Sequence, residues 1–333
     1  MKKFLLLSTC LLLTILSASC GQATQDTSLL APGGTQAPAQ TDNAPGEAEK
    51  YTIALVMKTL TNPFFVEMEK GARKAEKEFD INLIVKTGAQ ETSFDQQITI
   101  IEELIAQGVD AILIAPADSV QLIPVLKKAQ DAGIVIINID NQLDAQASKK
   151  IGLKDVPFIS VDNEQGAYLS AGYISKDVNV PTQAIILEGI VTAKNAQDRK
   201  NGALRAFGEN KNIQLAASET ANWKIDEAYN VAAKLFKDHP DVKLVFCAND
   251  MMAFGVIQYL QENNKADVKV AAYDALAEAM PMLKNGSLQA TIDQQAAIQA
   301  YTGVRYAIQA LKGEKLEPVT LLAVLLVTKE NAK

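Results

Sequence analysis

Histidine is almost missing from this 333-residue chain, which holds a single imidazole at His239. It stands in Asp238-His239-Pro240, which reads as a polar turn at a helix end, and this argues against His-based acid–base catalysis and multi-His metal sites. A cationic excess is missing too. The 32 Lys and Arg against 39 Asp and Glu give a net charge of −7, the wrong sign for neutralising nucleic-acid phosphates. No Gly-x-Gly occurs, so the dinucleotide fingerprint is absent, and neither a Walker loop nor a zinc spacing is present. No metal and no cofactor is expected. Cysteine is scarce as well, with three residues in all.

What is present starts with an address. Lys2 and Lys3 precede the apolar run Phe4 to Leu16, and small residues Ser17-Ala18-Ser19 precede Cys20. Residues 1–19 thus read as an export signal, too short for a good membrane span. The segment resembles a bacterial lipoprotein signal, in which the Cys becomes the lipidated first residue, although Leu16 stands four residues before Cys20 rather than three. Ordinary signal cleavage nearby is the alternative. If Cys20 is acylated, only Cys247 remains and a disulfide framework is impossible despite the oxidising compartment. Cys247 ends the apolar run from Val242 and reads as core filler. The protein is expected to be exported, in the periplasm or on the outer face of the membrane, and anchored through Cys20.

Residues 20–49 form the lipidated Cys and a spacer rich in Gln, Ala, Thr, Pro and Gly, a composition that cannot bury enough apolar surface to fold. As a flexible coil it would reach about 30 Å. From Tyr51 the pattern changes. Apolar strands alternate with amphipathic helices, first over Tyr51–Met57, Pro63–Phe79, Ile81–Val85, Phe94–Gln107, Ala111–Ala115, Ser119–Ala132 and Ile134–Ile139. A polar loop from Asn141 to Pro157 interrupts, and a second series runs from Phe158 to Ala272. The tail adds Ala290–Ile292, Ala296–Leu311 and Leu321–Thr328 to these lobes. The expected fold class is α/β, with two similar doubly wound parallel-sheet lobes.

In such sheets ligands sit beyond the carboxyl ends of the strands. The loops there carry Lys58 and Asn62-Pro63-Phe64-Phe65, Asp140-Asn141, Asp162-Asn163, Asn249-Asp250, Tyr273-Asp274 and Gln294. Singly, each polar residue is a helix cap or a ligand contact. Converging on one cleft, they read as a binding site.

Lys58-Thr59-Leu60 with Asn62-Pro63-Phe64-Phe65, Glu188-Gly189, Arg199-Lys200-Asn201-Gly202 and Cys247-Ala248-Asn249-Asp250 resemble the type I periplasmic sugar receptors, the ribose and D-allose binding proteins of ABC importers. The resemblance covers nearly everything from Tyr51 onward. It implies that Lys58, Asn62 and Asp140 bind hydroxyls from the first lobe, with Phe64 and Phe65 as apolar walls. Arg199, Asn249, Asp274 and Gln294 would complete the polar shell from the second lobe, with Trp223 stacking on the other face. It also implies a three-segment hinge near Val161–Asp162, Gln294–Gln295 and Leu321–Val324. The lobes would then be 50–161 plus 295–322 and 162–294 plus 323–333. Asn141 stands where the ribose receptor has Arg, Ala115 where it has Asn, Tyr273 where it has Phe, and Trp223 is followed by Lys224. These departures disfavour ribose. With Lys58 and Arg199 facing Asp140 and Asp274, the site is nominally neutral, which suits a hexose such as D-allose or a cyclitol such as myo-inositol. Lys224 would redirect hydroxyl recognition or simply stand solvated in a first helical turn.

The implied partners are an ABC permease and its ATPase, the membrane only through the lipid, and no nucleic acid; the protein is expected to be a monomer. The rival from another class is a sensory sugar-binding module for a chemoreceptor or membrane kinase. An enzymatic reading would use Asp140 and Asp274 as paired carboxylates, one with a raised pKa. Arg199 and Lys58 nearby would instead depress both pKa values. The chain is expected not to be an enzyme.

Overall fold

The computed structural model describes residues 50–333. The expected signal, Cys20 and spacer lie outside the described residues. Strand β1 (Thr52–Met57) is second from one edge of the first sheet, whose other members are β2 (Asn82–Thr87), β3 (Ala111–Ile114), β4 (Val135–Ile139), β5 (Phe158–Val161) and β11 (Val319–Leu322). Their order is β11-β5-β4-β3-β1-β2, all parallel. The second sheet holds β6 (Thr182–Glu188), β7 (Ile213–Thr220), β8 (Val242–Cys247), β9 (Lys269–Ala271), β10 (Ala290–Asp293) and β12 (Leu325–Thr328), in the order β12-β10-β9-β8-β6-β7. Both repeat one winding, with the order reversing beside β1 and again beside β6. Such reversals open a crevice at the carboxyl ends of the strands.

The strands earn this placement by composition. Residues 53–57 and 111–114 are buried on both faces, as expected of near-continuous apolar runs covered by helices. Helices α1 (Pro63–Phe79), α2 (Phe94–Gln107), α3 (Ile123–Asp131) and α10 (Ala296–Leu311) flank the first sheet. Helices α5 (Asn163–Ser175), α6 (Lys194–Gly208), α7 (Ile225–Asp238) and α8 (Asp250–Glu262) flank the second. Helix α10 lies so close to α1 that a Cβ on Gly71 would fall 1.9 Å from the Ala297 carbonyl oxygen. Cys247 is buried and free, and burial pushes its thiol well above the usual range, which leaves it inert core.

Four expectations need correction. The polar loop contains a seven-residue helix, α4 (Ala145–Ile151), capped by Asp144 accepting from Ala147 N and closed by left-handed Gly152. None of its residues is buried, so no apolar period announced it. A second short helix, α9 (Ala279–Asn285), was likewise unassigned. Helix α3 begins at Ile123 rather than Ser119, because the Asp118 carboxylate accepts from Val120 N and Gln121 N and holds a turn there. The tail is two strands, not one, and they belong to different sheets.

The chain passes between the sheets between β5 and α5, between β10 and α10, and between β11 and β12. Each passage leaves a sheet at its carboxyl edge. A strand entering the second sheet from that edge must run against its neighbours, and β12 is accordingly antiparallel to β10. At the middle passage Gln295 adopts a left-handed backbone, with φ 57°. Its side-chain amide donates to the Ala323 carbonyl and so ties two passages together.

Candidate ligand site between the lobes

All ten residues named from the sequence line one cavity at the carboxyl edges of the two sheets: Lys58, Asn62, Phe64, Phe65 and Asp140 from the first lobe, and Arg199, Trp223, Asn249, Asp274 and Gln294 from the second. The space between them amounts to about 240 Å³, part of it open to solvent.

In the first lobe, Lys58 follows β1 and its Nζ lies 3.2 Å from Asp140 Oδ2, both side chains being 3% exposed. Asn62 does two things at once. Its Oδ1 caps α1 by accepting from Phe64 N at 3.0 Å, and its Nδ2 donates to Glu91 Oε1 at 2.8 Å. Phe64 and Phe65 meet edge to face with centroids 5.0 Å apart, so both adjacent rings reach the cavity wall. Asp140 follows β4 with φ 63°, a left-handed turn that carboxamides and carboxylates tolerate best among residues other than glycine.

In the second lobe, Arg199 on α6 is fixed on every side. Its Nε donates to Asn163 Oδ1 at 2.9 Å, one terminal nitrogen to the Ala248 carbonyl at 2.9 Å, and the other to Gln294 Oε1 at 3.2 Å. Asp274 Oδ1 lies 3.4 Å from the guanidinium, and the Tyr273 ring lies 3.8 Å beneath it. Gln294 Nε2 donates to the same Asp274 oxygen at 2.6 Å. Asn249 caps α8 by accepting from Met252 N at 2.9 Å. Trp223 sits in a left-handed turn at φ 66°, its ring laid against Gly189. Asp140 Oδ2, Asn195 Oδ1 and Trp223 Nε1 are buried without a hydrogen-bond partner in the protein, and all three residues border the cavity.

A family model described as "Periplasmic binding protein domain" matches residues 53–315. The chain belongs to that family. This periplasmic binding protein is 43% identical over 277 residues to the D-ribose/D-allose-binding protein of Pseudomonas aeruginosa, covering 81% of this chain and 85% of the relative. It is 32% identical over 268 residues to the D-allose-binding periplasmic protein of Escherichia coli K12, covering 80% and 86%. It superposes with a TM-score of 0.81 on a crystal structure of an ABC transporter periplasmic solute binding protein from Actinobacillus succinogenes 130z with bound D-allose; the two are 37% identical, with 85% of this chain and 99% of that one covered.

Two cavity residues of the binding protein escaped sequence reasoning. Glu91 stands in the loop after β2, which no motif had marked, although it follows a strand end like the other loops. Asn195 was hidden because α6 starts at Lys194 rather than Ala196; it lies one turn before Arg199 and so shares its face. Conversely, Lys224 is outside the cavity at the start of α7 and pairs with Glu227 at 2.9 Å. Lys224 is thus half-buried in a first-turn ion pair and does not line the cavity.

Glu91 also overturns the simple charge balance, since three carboxylates now face two cations. Burial pushes Glu91 above the usual carboxylate range against the pull of Lys58 and Asn62. Burial likewise outweighs Arg199 at Asp274 and pushes it to about 7, the reverse of the depression expected from neighbouring cations. A carboxyl raised in the fold contributes stability that is complete below its unfolded value near 3.9 and is lost as pH rises through 7. Wild type should therefore lose roughly 2–3 kcal/mol more than Asp274→Asn between pH 5 and pH 8, measured by urea unfolding of the ligand-free protein.

Proposed function

We propose that this binding protein is the exported solute receptor of an ABC importer and that it closes over a neutral monosaccharide, with D-allose the leading candidate and a cyclitol such as myo-inositol next. The observation that carries this reading is the pair of half-sites. Lys58 and Asp140 from one lobe face Arg199, Asp274 and Gln294 from the other across a cavity walled by Phe64, Phe65 and Trp223. Sugars offer hydroxyls that both give and accept hydrogen bonds, together with apolar C–H faces; carboxylates, amides and cations between aromatic rings answer both. The relatives named for D-allose support the choice of a hexose.

The three passages between sheets serve as the hinge, dividing the lobes at 50–161 plus 295–322 and 162–294 plus 323–333. Closure is favoured because only the closed form satisfies both half-sites at once. The closed receptor, a monomer tethered through acylated Cys20, presents its ligand to a permease whose ATPase drives transport. The relatives favour import over the sensory reading. A Cys20→Ala variant that stayed on the membrane would overturn the anchor.

The ligand test is a thermal-shift panel on protein stripped of carried-over solute, covering D-allose, D-ribose, other hexoses, polyols and myo-inositol. A ligand at 100 times its dissociation constant should add about 2.7 kcal/mol, a shift of several degrees. A panel with no responder sinks the sugar reading and leaves the family and fold standing.

A further inference from the structure

Helix α6 delivers Asn195 and Arg199 to the cavity, yet it begins without a cap of its own, because Ala193 at its N-cap has no side-chain acceptor. A helix start leaves its first N–H groups without partners inside the helix. Here the opposite lobe supplies them. Ser119 Oγ, from the turn before α3, accepts from Lys194 N at 3.1 Å. Asn141 Oδ1, from the loop after β4, accepts from Asn195 N at 3.2 Å. A third bond crosses the same gap, where Asn195 Nδ2 donates to Asp140 Oδ1 at 3.3 Å.

The acceptors are built in rather than accidental. Ser119, Asn141 and Asn195 are 5%, 0% and 3% exposed. Asn141 is held at both ends, its Nδ2 donating to the Pro116 carbonyl at 3.1 Å and its own carbonyl accepting from Asn138 Nδ2 at 2.8 Å. Its Oδ1 therefore points across the cleft. Separating the lobes exchanges these fixed acceptors for water at the start of α6.

We infer that Ser119 and Asn141 are positioning residues that cap α6 across the cleft, so that the helix carrying Asn195 and Arg199 is completed only when the lobes are shut. Asn141, read from the sequence only as a lost guanidinium, acquires a role of its own: it favours closure and sets how Asn195 meets Asp140. Toward the low end of the usual range a side-chain cap shifts a helix equilibrium roughly threefold, which places the combined effect of both residues at about tenfold in the closure equilibrium. The consequence for affinity rests on the proposed sugar-receptor reading; the effect on closure does not.

The test uses the mature chain carrying Cys20→Ser, with spin labels on Lys86→Cys and Lys234→Cys, two exposed positions on different lobes, while buried Cys247 stays unlabelled. Ser119→Ala, Asn141→Ala, the double variant and Asn141→Asp are compared without added ligand. The double variant should lower the closed-to-open ratio about tenfold and each single variant by less. Asn141→Asp should fall between wild type and Asn141→Ala, because its carboxylate supplies an acceptor at the helix N-terminus but forfeits the donor to the Pro116 carbonyl. With the responding sugar, the off-rate of the double variant should rise about tenfold while the on-rate stays within about twofold. An unchanged distance distribution in the double variant overturns the cap. If no panel sugar responds, the proposed ligand class fails, and the distance measurement still decides the cap.

Discussion

Asp140→Ala should raise the dissociation constant of the responding sugar by about two to three orders of magnitude. Two losses coincide. The ligand forfeits an acceptor that sits 2% exposed with Oδ2 unmatched by any protein hydrogen bond. Lys58, 3% exposed at its side chain, forfeits the carboxylate 3.2 Å away and is left as an unpaired buried cation in the closed form. Breaking one partner of a buried ion pair costs about 3–5 kcal/mol, and that cost falls mainly on closure. Alanine also sits poorly in the left-handed turn at φ 63°, whereas Asn keeps both shape and backbone tolerance. Asp140→Asn therefore serves as the control and should fall between the two. Calorimetric titration measures both variants. A change of less than tenfold in Asp140→Ala would show that Asp140 is not a principal hydroxyl acceptor.

Gly189→Ala should abolish measurable sugar binding at concentrations that saturate wild type, an effect of at least about a hundredfold if the aromatic wall is displaced. The reason is steric alone. A Cβ on Gly189 would stand 2.1 Å from Cζ2 of Trp223 and 2.2 Å from its Cη2. The indole is 4% exposed and cannot retreat outward, and its backbone is pinned where Trp223 O accepts from Asn249 Nδ2 and Lys224 N donates to Ala221 O. The ring can yield only toward a cavity of about 240 Å³. Overpacking of this kind also costs about 1–3 kcal/mol in stability. Trp223→Phe removes the overlapping part of the ring and should recover part of the stability lost by Gly189→Ala, a coupling that a double-mutant cycle by urea unfolding measures. Additive losses would refute the contact.

The fold was largely legible because its strands are buried on both faces. Runs such as Ala54-Leu55-Val56 and Ile112-Leu113-Ile114 have no polar alternation to confuse with a half-exposed sheet. Helix α4 was not legible because it buries nothing, and the division of the tail at Ala323-Val324 was not because the apolar run continues across it. At the site, residues with a second duty were readable twice over. Asn62 and Asn249 are helix caps and cavity liners together, so weighing one role against the other posed a false choice. Glu91 went unseen because nothing local distinguishes it from a solvated loop glutamate; only the chain folded over it makes it buried and paired with Asn62. The carboxyl pKa at Asp274 was misjudged for a related reason. Charge neighbours can be guessed from sequence, but the depth of burial that outweighs them cannot.

The two end strands have a bearing on how the chain is made. Helix α10 and β11 complete the sheet begun by β1, although more than two hundred residues separate Thr52 from Val319. The second lobe is one continuous stretch from α5 to β10, lacking only β12. As the chain emerges from an export channel, amino end first, the later lobe can therefore close on itself while the earlier one still waits for its last strand. Each sheet thus waits for its last strand, β11 beside β5 and then β12 beside β10, and β5 keeps an open edge until the chain has passed residue 319.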